Sequence, residues 1–242
     1  MLIRIKVMTT AEYVIIIPCY NEDPTILKVV REIFKLNKNL EILLINDGST
    51  DSFEDIDFTP FKSRLKIINH LETLGKGAAI KTGIKVLKRT NPNCKVILFD
   101  ADDEIGSEAI TTIINFYSQN KKCKVIFGSR YLGNNFYQNL NYGIIRFIAN
   151  KTLTKLANYK LELKLTDMET AVKSFYINLI DETKLISNGF EIEPEITMML
   201  SKTKENIFEI PITYKPRTKN EGKKISFKDG LKTLNYIFRN AK

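Results

Sequence analysis

Histidine, cysteine and long apolar runs are scarce in this 242-residue chain. His70 is the one histidine, which leaves a Ser-His-Asp relay or imidazole-bound metal almost without material; it reads as an ordinary residue after a strand. Cys19, Cys94 and Cys123 are odd in number, far apart and set in or beside apolar runs, with no C-x-x-C pair. That argues against a disulfide framework or cysteine metal site and for reduced packing residues in a cytosolic protein. No run approaches the roughly eighteen apolar residues of a membrane span, and Met1–Met8 lacks the long apolar region of a secretory signal. The protein is therefore expected not to be integral to a membrane. Also missing are the Gly-x-x-x-x-Gly-Lys-[Ser/Thr] phosphate loop, an RNP pattern, zinc spacing and a helix-turn-helix pattern, which leaves a nucleic-acid-binding module unsupported.

Positive charge, by contrast, is plentiful. Lysine and arginine number 37 against 28 acidic residues, a formal net charge of +9. Such a surplus points to a polyanionic partner: nucleic acid, an anionic membrane face or a phosphorylated substrate. The hydrophobic content of 43% suits one large α/β domain with a sizeable core.

Tyr13–Pro18 is continuously apolar, as a strand buried on both faces should be, and Pro18 is expected to end it. Asp23-Pro24 opens a helical pattern through Lys35, with Asp23 as N-cap and Pro24 at the first helical position. Glu41–Ile45 is a second strand, running into the turn chemistry of Asn46-Asp47-Gly48-Ser49-Thr50-Asp51. Leu65–Ile68 is a third, Val96–Phe99 a fourth and Lys124–Phe127 a fifth, with helices from Gly77 to Leu87 and around 107–119. This alternation from 13 to 130 predicts a doubly wound, mainly parallel sheet. Beyond Arg130 the rhythm changes: an Asn-, Tyr- and Gly-rich loop at 131–143, a helix from Ile144 to Asn158, a strand and a helix within 172–200, a strand at Ile207–Tyr214, a basic loop from Arg217 to Lys224 and a helix from Asp229 to Asn240.

Asp100-Ala101-Asp102-Asp103-Glu104 carries the most chemistry. It follows the fourth strand, so it sits at the carboxyl edge where open α/β sheets bind ligands. Side chains at i and i+2 of extended backbone share a side, so Asp100 and Asp102 could share one divalent cation, with phosphate oxygens completing the shell of Mg²⁺ or Mn²⁺.

Read with Ile17-Pro18-Cys19-Tyr20-Asn21-Glu22, Asn46–Asp51, Gly75-Lys76-Gly77-Ala78-Ala79, Gly128-Ser129-Arg130-Tyr131, Thr166-Asp167-Met168-Glu169-Thr170 and Arg217 through Ile225, the cluster resembles a family-2 glycosyltransferase of GT-A fold. The likeness is to the polyprenyl-phosphate sugar synthases, the dolichyl-phosphate mannose or glucose synthase type. It spans nearly the whole chain, in order. The resemblance implies a single domain with a nucleotide-sugar half at 12–130, an acceptor half at 131–226 and a basic amphipathic helix at 227–242. It implies an inverting hexosyl transfer from a nucleotide-diphosphate sugar. Pro18, Tyr20, Asn21 and Glu22 would line the base and ribose, and Asp47 would accept a base N–H. Lys76, Asp100, Ala101, Asp102, Arg217 and Lys224 would surround the diphosphate, and Asp100, Asp102 and Glu104 would hold the metal.

The acceptor decides whether a base is needed. A hydroxyl must lose a proton, whereas a phosphate monoester, with a second pKa of about 6, is already ionised and needs cations instead. By resemblance Arg130 and Arg146 would hold a polyprenyl phosphate, and planar guanidinium groups suit that task. Asp102, Arg130 and Asp167 are the residues expected to carry catalysis; Asp167 would be the base for a hydroxyl acceptor or would orient an arginine for a phosphate acceptor. Glu193 and Glu195 are possible supporting carboxylates. The basic tail, with Phe227, Leu231, Leu234, Ile237 and Phe238, predicts peripheral contact with the cytoplasmic face of a membrane and leaves room for a membrane partner protein. A soluble family-2 transferase acting on a glycan hydroxyl is the alternative.

Overall fold

A computed structural model describes residues 10–36, 39–133, 144–203, 205–217 and 227–240. Seven strands form one sheet: β1 (Tyr13–Cys19), β2 (Leu40–Asn46), β3 (Leu65–Asn69), β4 (Lys95–Leu98), β5 (Val125–Ser129), β6 (Lys173–Tyr176) and β7 (Ile207–Pro211), in spatial order β3-β2-β1-β4-β6-β5-β7. The main helices are α1 (Asp23–Leu36), α2 (Lys76–Thr90), α3 (Glu108–Gln119), α4 (Ile144–Leu161), α5 (Ile192–Ser201) and α6 (Phe227–Asn240).

The period-two geometry of a strand divides the central apolar runs between two cores. On β1, Val14 and Ile16 face one layer and Ile15 and Ile17 the other; on β2, Leu43 and Ile45 oppose Ile42 and Leu44. The first layer is closed by Ala79, Ile80, Ile84 and Leu87 of α2, Leu153 and Ala157 of α4, Ile196 of α5 and Ile237 of α6. The second is closed by Ile26, Val30 and Ile33 of α1 and Ile110 and Ile113 of α3. Both faces are covered, the doubly wound arrangement that continuous apolar strands demand.

Two features depart from the pattern read along the chain. Pro18 lies inside β1 instead of ending it; β4 pairs with β1 only as far as Ile16, so the missing Pro18 N–H falls past that ladder. More consequentially, β5 does not pair with β4. β6 returns from the later half and enters between them, antiparallel to both. Its Lys173, Ser174 and Phe175 are fully buried. The later half also supplies β7, parallel to β5. Residues on either side of Arg130 therefore build a single sheet.

The carboxyl ends of β1, β2 and β4, with the start of α2, converge on one edge. α6 packs against the core through Thr233 and Ile237, while Leu231 and Phe238 stay exposed. Truncating Phe175 tests the inserted strand. Phe175→Ala is expected to cost about 3–5 kcal/mol of stability in urea unfolding; a loss under about 1 kcal/mol, within the range of surface substitutions, would place β6 outside the core.

Candidate active site

The loops after β1, β2 and β3 are stitched together by short polar side chains. Asn46 Oδ1 accepts from the Ser49 amide at 3.0 Å, closing the turn after β2 with its side chain. Asn21, itself at φ 50°, accepts from the Thr50 amide at 2.7 Å and donates to Thr50 Oγ1 at 3.2 Å. The first amide of α1, that of Asp23, donates to Asp51 at 3.0 Å; Asp23 opens the helix and Asp51 supplies the acceptor expected of an N-cap. Pro18 and Tyr20 are half-buried beside these loops. Ala101 is buried and its carbonyl accepts from Thr25 Oγ1 at 2.8 Å.

Asp47, expected to meet a base N–H, has its carboxylate taken up by the chain. It accepts from His70 Nδ1 at 2.6 Å, Thr73 Oγ1 at 3.0 Å, the Leu74 amide at 3.1 Å and the Gly75 amide at 2.8 Å. Two carboxylate oxygens offer about four lone-pair directions, so its acceptor capacity is matched by this loop. Gly75-Lys76-Gly77 differs similarly from expectation. The amides of Gly77 and Ala78 donate to the Asn188 carbonyl at 2.7 and 3.2 Å. A Cβ on Gly77 would meet Ser187 O at 2.5 Å. The close backbone approach that needs glycine is to the chain's own 187–189 segment.

At the acidic cluster each carboxylate has met a cation or amide to a different degree. Lys76 Nζ lies 2.8 Å from Asp100 and 3.1 Å from Glu193. Burial opposes its charge, but these two carboxylates outweigh burial and raise its pKa. The Arg217 guanidinium donates to both oxygens of Glu22, at 2.8 and 2.9 Å, and its backbone amide to Glu104 Oε1 at 2.8 Å. Glu104 is thereby tied to the strand-like segment after β7, where Tyr214 bridges to Ile105. Asp102 is less well matched: it accepts from the Glu104 amide at 3.1 Å, and Arg217 stands 3.7 Å away. Burial first, then the charges of Asp100 and Glu104, push its carboxyl up to about 7.

Among the described residues no three His, Cys, Asp or Glu side chains converge on one point as a metal cage, so Asp100, Asp102 and Glu104 do not form one. The donor set still fits Mg²⁺ or Mn²⁺. Such ions take one or two carboxylates and fill the remaining shell with phosphate oxygens and water, and a half-buried, under-neutralised carboxyl such as Asp102 is where a cation would relieve repulsion.

Toward β5 the site is cationic. Arg130 holds Asp167 through Nε at 2.7 Å and a terminal nitrogen at 2.8 Å, and its amide donates to the same carboxylate at 3.0 Å. Its guanidinium lies 5.6 Å from the Tyr131 ring centre and 5.3 Å from that of Tyr214. Asp167 is fully buried, and Glu209 fixes its backbone by accepting the amides of Thr166 and Asp167 at 2.7 and 3.0 Å. Arg146 is exposed on the first turn of α4, among the exposed Ile144, Ile145 and Ile148. The α4 cation turned to the Tyr131 ring is Lys151, 4.3 Å from its centre. Lys223 and Lys224 lie outside the described residues.

Of the residues around these carboxylates, Lys173 carried no sequence signal. Lys173 is fully buried on β6, donating to the Thr170 carbonyl at 2.5 Å and to Glu193. Glu193 thus joins Lys76 to Lys173. Glu169 has one buried oxygen without a hydrogen-bond partner, and burial pushes its carboxyl up to about 7. Glu195 instead accepts the amides of Ile186 and Ser187, both at 2.9 Å, a loop-holding role away from the acidic edge.

The model of the family "Glycosyl transferase family 2" matches residues 14–176. The chain belongs to that family. It is a glycosyltransferase with the GT-A architecture, a mostly parallel sheet with flanking helices. It is 22% identical over 217 residues to a polyprenol monophosphomannose synthase of Mycolicibacterium smegmatis, covering 87% of this chain and 80% of that protein. It is 24% identical over 215 residues to a UDP-N-acetylglucosamine–dolichyl-phosphate N-acetylglucosaminyltransferase of Methanococcus voltae, covering 82% and 83%. Among solved structures, a glucosyl-3-phosphoglycerate synthase of Mycobacterium tuberculosis, in complex with Mn²⁺, UDP-glucose and glycerol 3-phosphate, matches with a TM-score of 0.65 at 15% identity, over 96% of this chain and 80% of that one.

The raised carboxyls predict a pH dependence. Asp102 and Glu169 keep protons in the fold at pH values where the unfolded chain has lost them. Their stabilising share is full below about pH 4 and lost as pH rises through about 7. The thermal midpoint of the metal-free protein should fall between pH 5 and 8, and fall less in Asp102→Asn. Parallel profiles would remove Asp102 from this account.

Proposed function

We propose that this glycosyltransferase moves a hexosyl group, with inversion, from a nucleoside-diphosphate sugar to a polyprenyl phosphate in a divalent-metal-dependent reaction. The supporting observation is the Arg130–Asp167 pair. Asp167 is buried with its oxygens held by Arg130, an arrangement that orients a guanidinium and leaves the aspartate poorly placed to accept a proton. A phosphate acceptor requires that cation and no base. Its oxygen attacks the anomeric carbon, the bond to the donor diphosphate breaks, and nucleoside diphosphate leaves.

In this reading the loops after β1, β2 and β4 receive the donor. Pro18, Tyr20 and Asn21 border the nucleoside. Lys76 and Arg217 face the diphosphate, which competes with Asp100 and Glu22 for them, and Lys224 follows in the same basic stretch of sequence. A cation held by Asp102, with Asp100 and Glu104 beside it, would stabilise charge on the leaving group as a Lewis acid. Arg130, with Lys151 and Arg146, receives the acceptor phosphate. The donor half is 12–130, the acceptor half 131–226 and the tail 227–242, of which Phe227–Asn240 is helical. No helix among the described residues is long and apolar enough to cross a membrane. The exposed Ile144, Ile145 and Ile148 around Arg146 supply an apolar, basic ridge for peripheral contact with an anionic bilayer at its cytoplasmic face. The polyprenyl-phosphate relatives named above support the lipid acceptor.

The direct test offers UDP-glucose, UDP-N-acetylglucosamine and GDP-mannose separately, with Mn²⁺ or Mg²⁺, to anionic vesicles carrying a polyprenyl phosphate. The protein should sediment with the vesicles at low salt. One donor should yield a glycolipid that retains the lipid phosphate, and chelation should abolish it. Transfer to glycan hydroxyls alone would reject the proposal.

A hydroxyl acceptor has one observation in its favour: Glu169, with a carboxyl near 7, is suited to accept a proton. Glu169→Gln and Asp167→Asn separate the readings. For a phosphate acceptor, Asp167→Asn should raise the acceptor KM about tenfold or more while Glu169→Gln changes kcat by less than about tenfold. A collapse of kcat by about a hundredfold in Glu169→Gln, with donor binding intact, would favour a base and a hydroxyl.

A further inference from the structure

We infer that His70 is a positioning residue for nucleotide binding: through Asp47 it holds the 70–75 loop as a wall against the 46–51 loop after β2, one of the loops that receive the donor. The inference deepens the donor reading above and rests on it.

The loop has little apolar packing of its own. Leu71 is fully exposed, and Glu72, Thr73 and Leu74 are exposed as well. A segment that buries so little needs polar anchors to keep one shape. Those anchors meet at Asp47, which is nearly fully buried. It takes the Thr73 hydroxyl and the Leu74 and Gly75 amides, and its shortest contact, 2.6 Å, is to His70 Nδ1. His70 Nε2 lies 2.9 Å from Thr82 Oγ1 on α2. The His70 amide donates to the Asn46 carbonyl at 2.8 Å. One imidazole therefore ties together the end of β3, the carboxylate after β2 and the second turn of α2.

The neighbouring loop is built to accept this wall. Gly48 sits at φ +68°, and a Cβ there would stand 2.5 Å from the Glu72 carbonyl carbon and 2.7 Å from the Thr73 nitrogen. The 46–51 and 70–75 loops pack backbone to backbone, so a shift in one is passed to the other. The next residue along is Lys76, bound to Asp100 and Glu193. An error at His70 thus reaches both the nucleoside end and the cation facing the diphosphate.

Nδ1–H donates to the Asp47 carboxylate, and Nε2 and the Thr82 hydroxyl can satisfy each other whichever carries the proton. The two nitrogens can be tested separately. Asn at position 70 reaches Asp47 with its amide nitrogen in place of Nδ1. Gln reaches farther, toward Thr82, in place of Nε2.

The experiment is calorimetric titration of the full chain with UDP and with GDP in the presence of Mn²⁺, for wild type, His70→Ala, His70→Asn and His70→Gln, at a temperature below every variant's unfolding transition. His70→Ala leaves a buried charged acceptor short of a donor and should weaken nucleotide binding about tenfold. His70→Asn should remain within about threefold of wild type, and His70→Gln should resemble Ala. In turnover, His70→Ala should raise the donor KM with kcat little changed, which a general loss of folded protein would not do. Unchanged affinity in His70→Ala, or equal rescue by Gln and Asn, would overturn the inference. If wild type binds neither nucleotide, the donor reading fails, and the inference falls with it.

Discussion

Charge in a desolvated place must be matched, and the carboxyl edge of this sheet is arranged around that requirement. An ionised carboxylate taken out of water costs several kcal/mol unless cations or amides compensate it. Glu22 is compensated by Arg217, Asp100 by Lys76, Asp167 by Arg130, Glu193 by Lys76 and Lys173, and Asp47 by amides, a hydroxyl and an imidazole. Asp102 and Glu169 are matched worst, and both have raised pKa values. The carboxylates that hold the loops are compensated, while Asp102 and Glu169 are left incompletely so. In the proposed reading a cation would complete Asp102.

The inserted strand makes this pattern possible. β6 brings Lys173 into the middle of the sheet, next to Glu193 at the start of α5, and the segment before it carries Asp167 and Glu169. The acidic edge and the Arg130 side of the site come from distant stretches of chain but stand on one rigid support. Lys173 is accommodated in the core because Glu193 and the Thr170 carbonyl accept its hydrogen bonds; without them its burial would be prohibitive.

Much of this was legible along the chain. The apolar runs of β1 and β2 marked strands buried on both faces, and the turn residues at 46–51 marked a loop. Asp100 and Asp102 announced an acidic edge, and Arg130 after β5 its cationic counterpart. Other residues were misleading for physical reasons. Gly75-Lys76-Gly77 has the composition of a ligand-cradling loop, yet its amides meet the Asn188 carbonyl, more than a hundred positions away. Asp47 and His70 look like a turn residue and an ordinary histidine after a strand until the loop between β3 and α2 folds over them. Arg146 resembles Lys151 in any reading of composition, and only the rotation of α4 turns one outward and the other toward Tyr131.

The sequence by itself determined the alternation of strands and helices, the family, and the edge of the sheet where chemistry collects. These follow from local periodicity and from short runs whose members are neighbours in the chain. Tertiary structure alone decided which charge answers which: Glu22 with Arg217, Lys76 with Glu193, Asp47 with His70. Electrostatic matching depends on distance through space in a medium of low polarity, and sequence separation does not encode that distance.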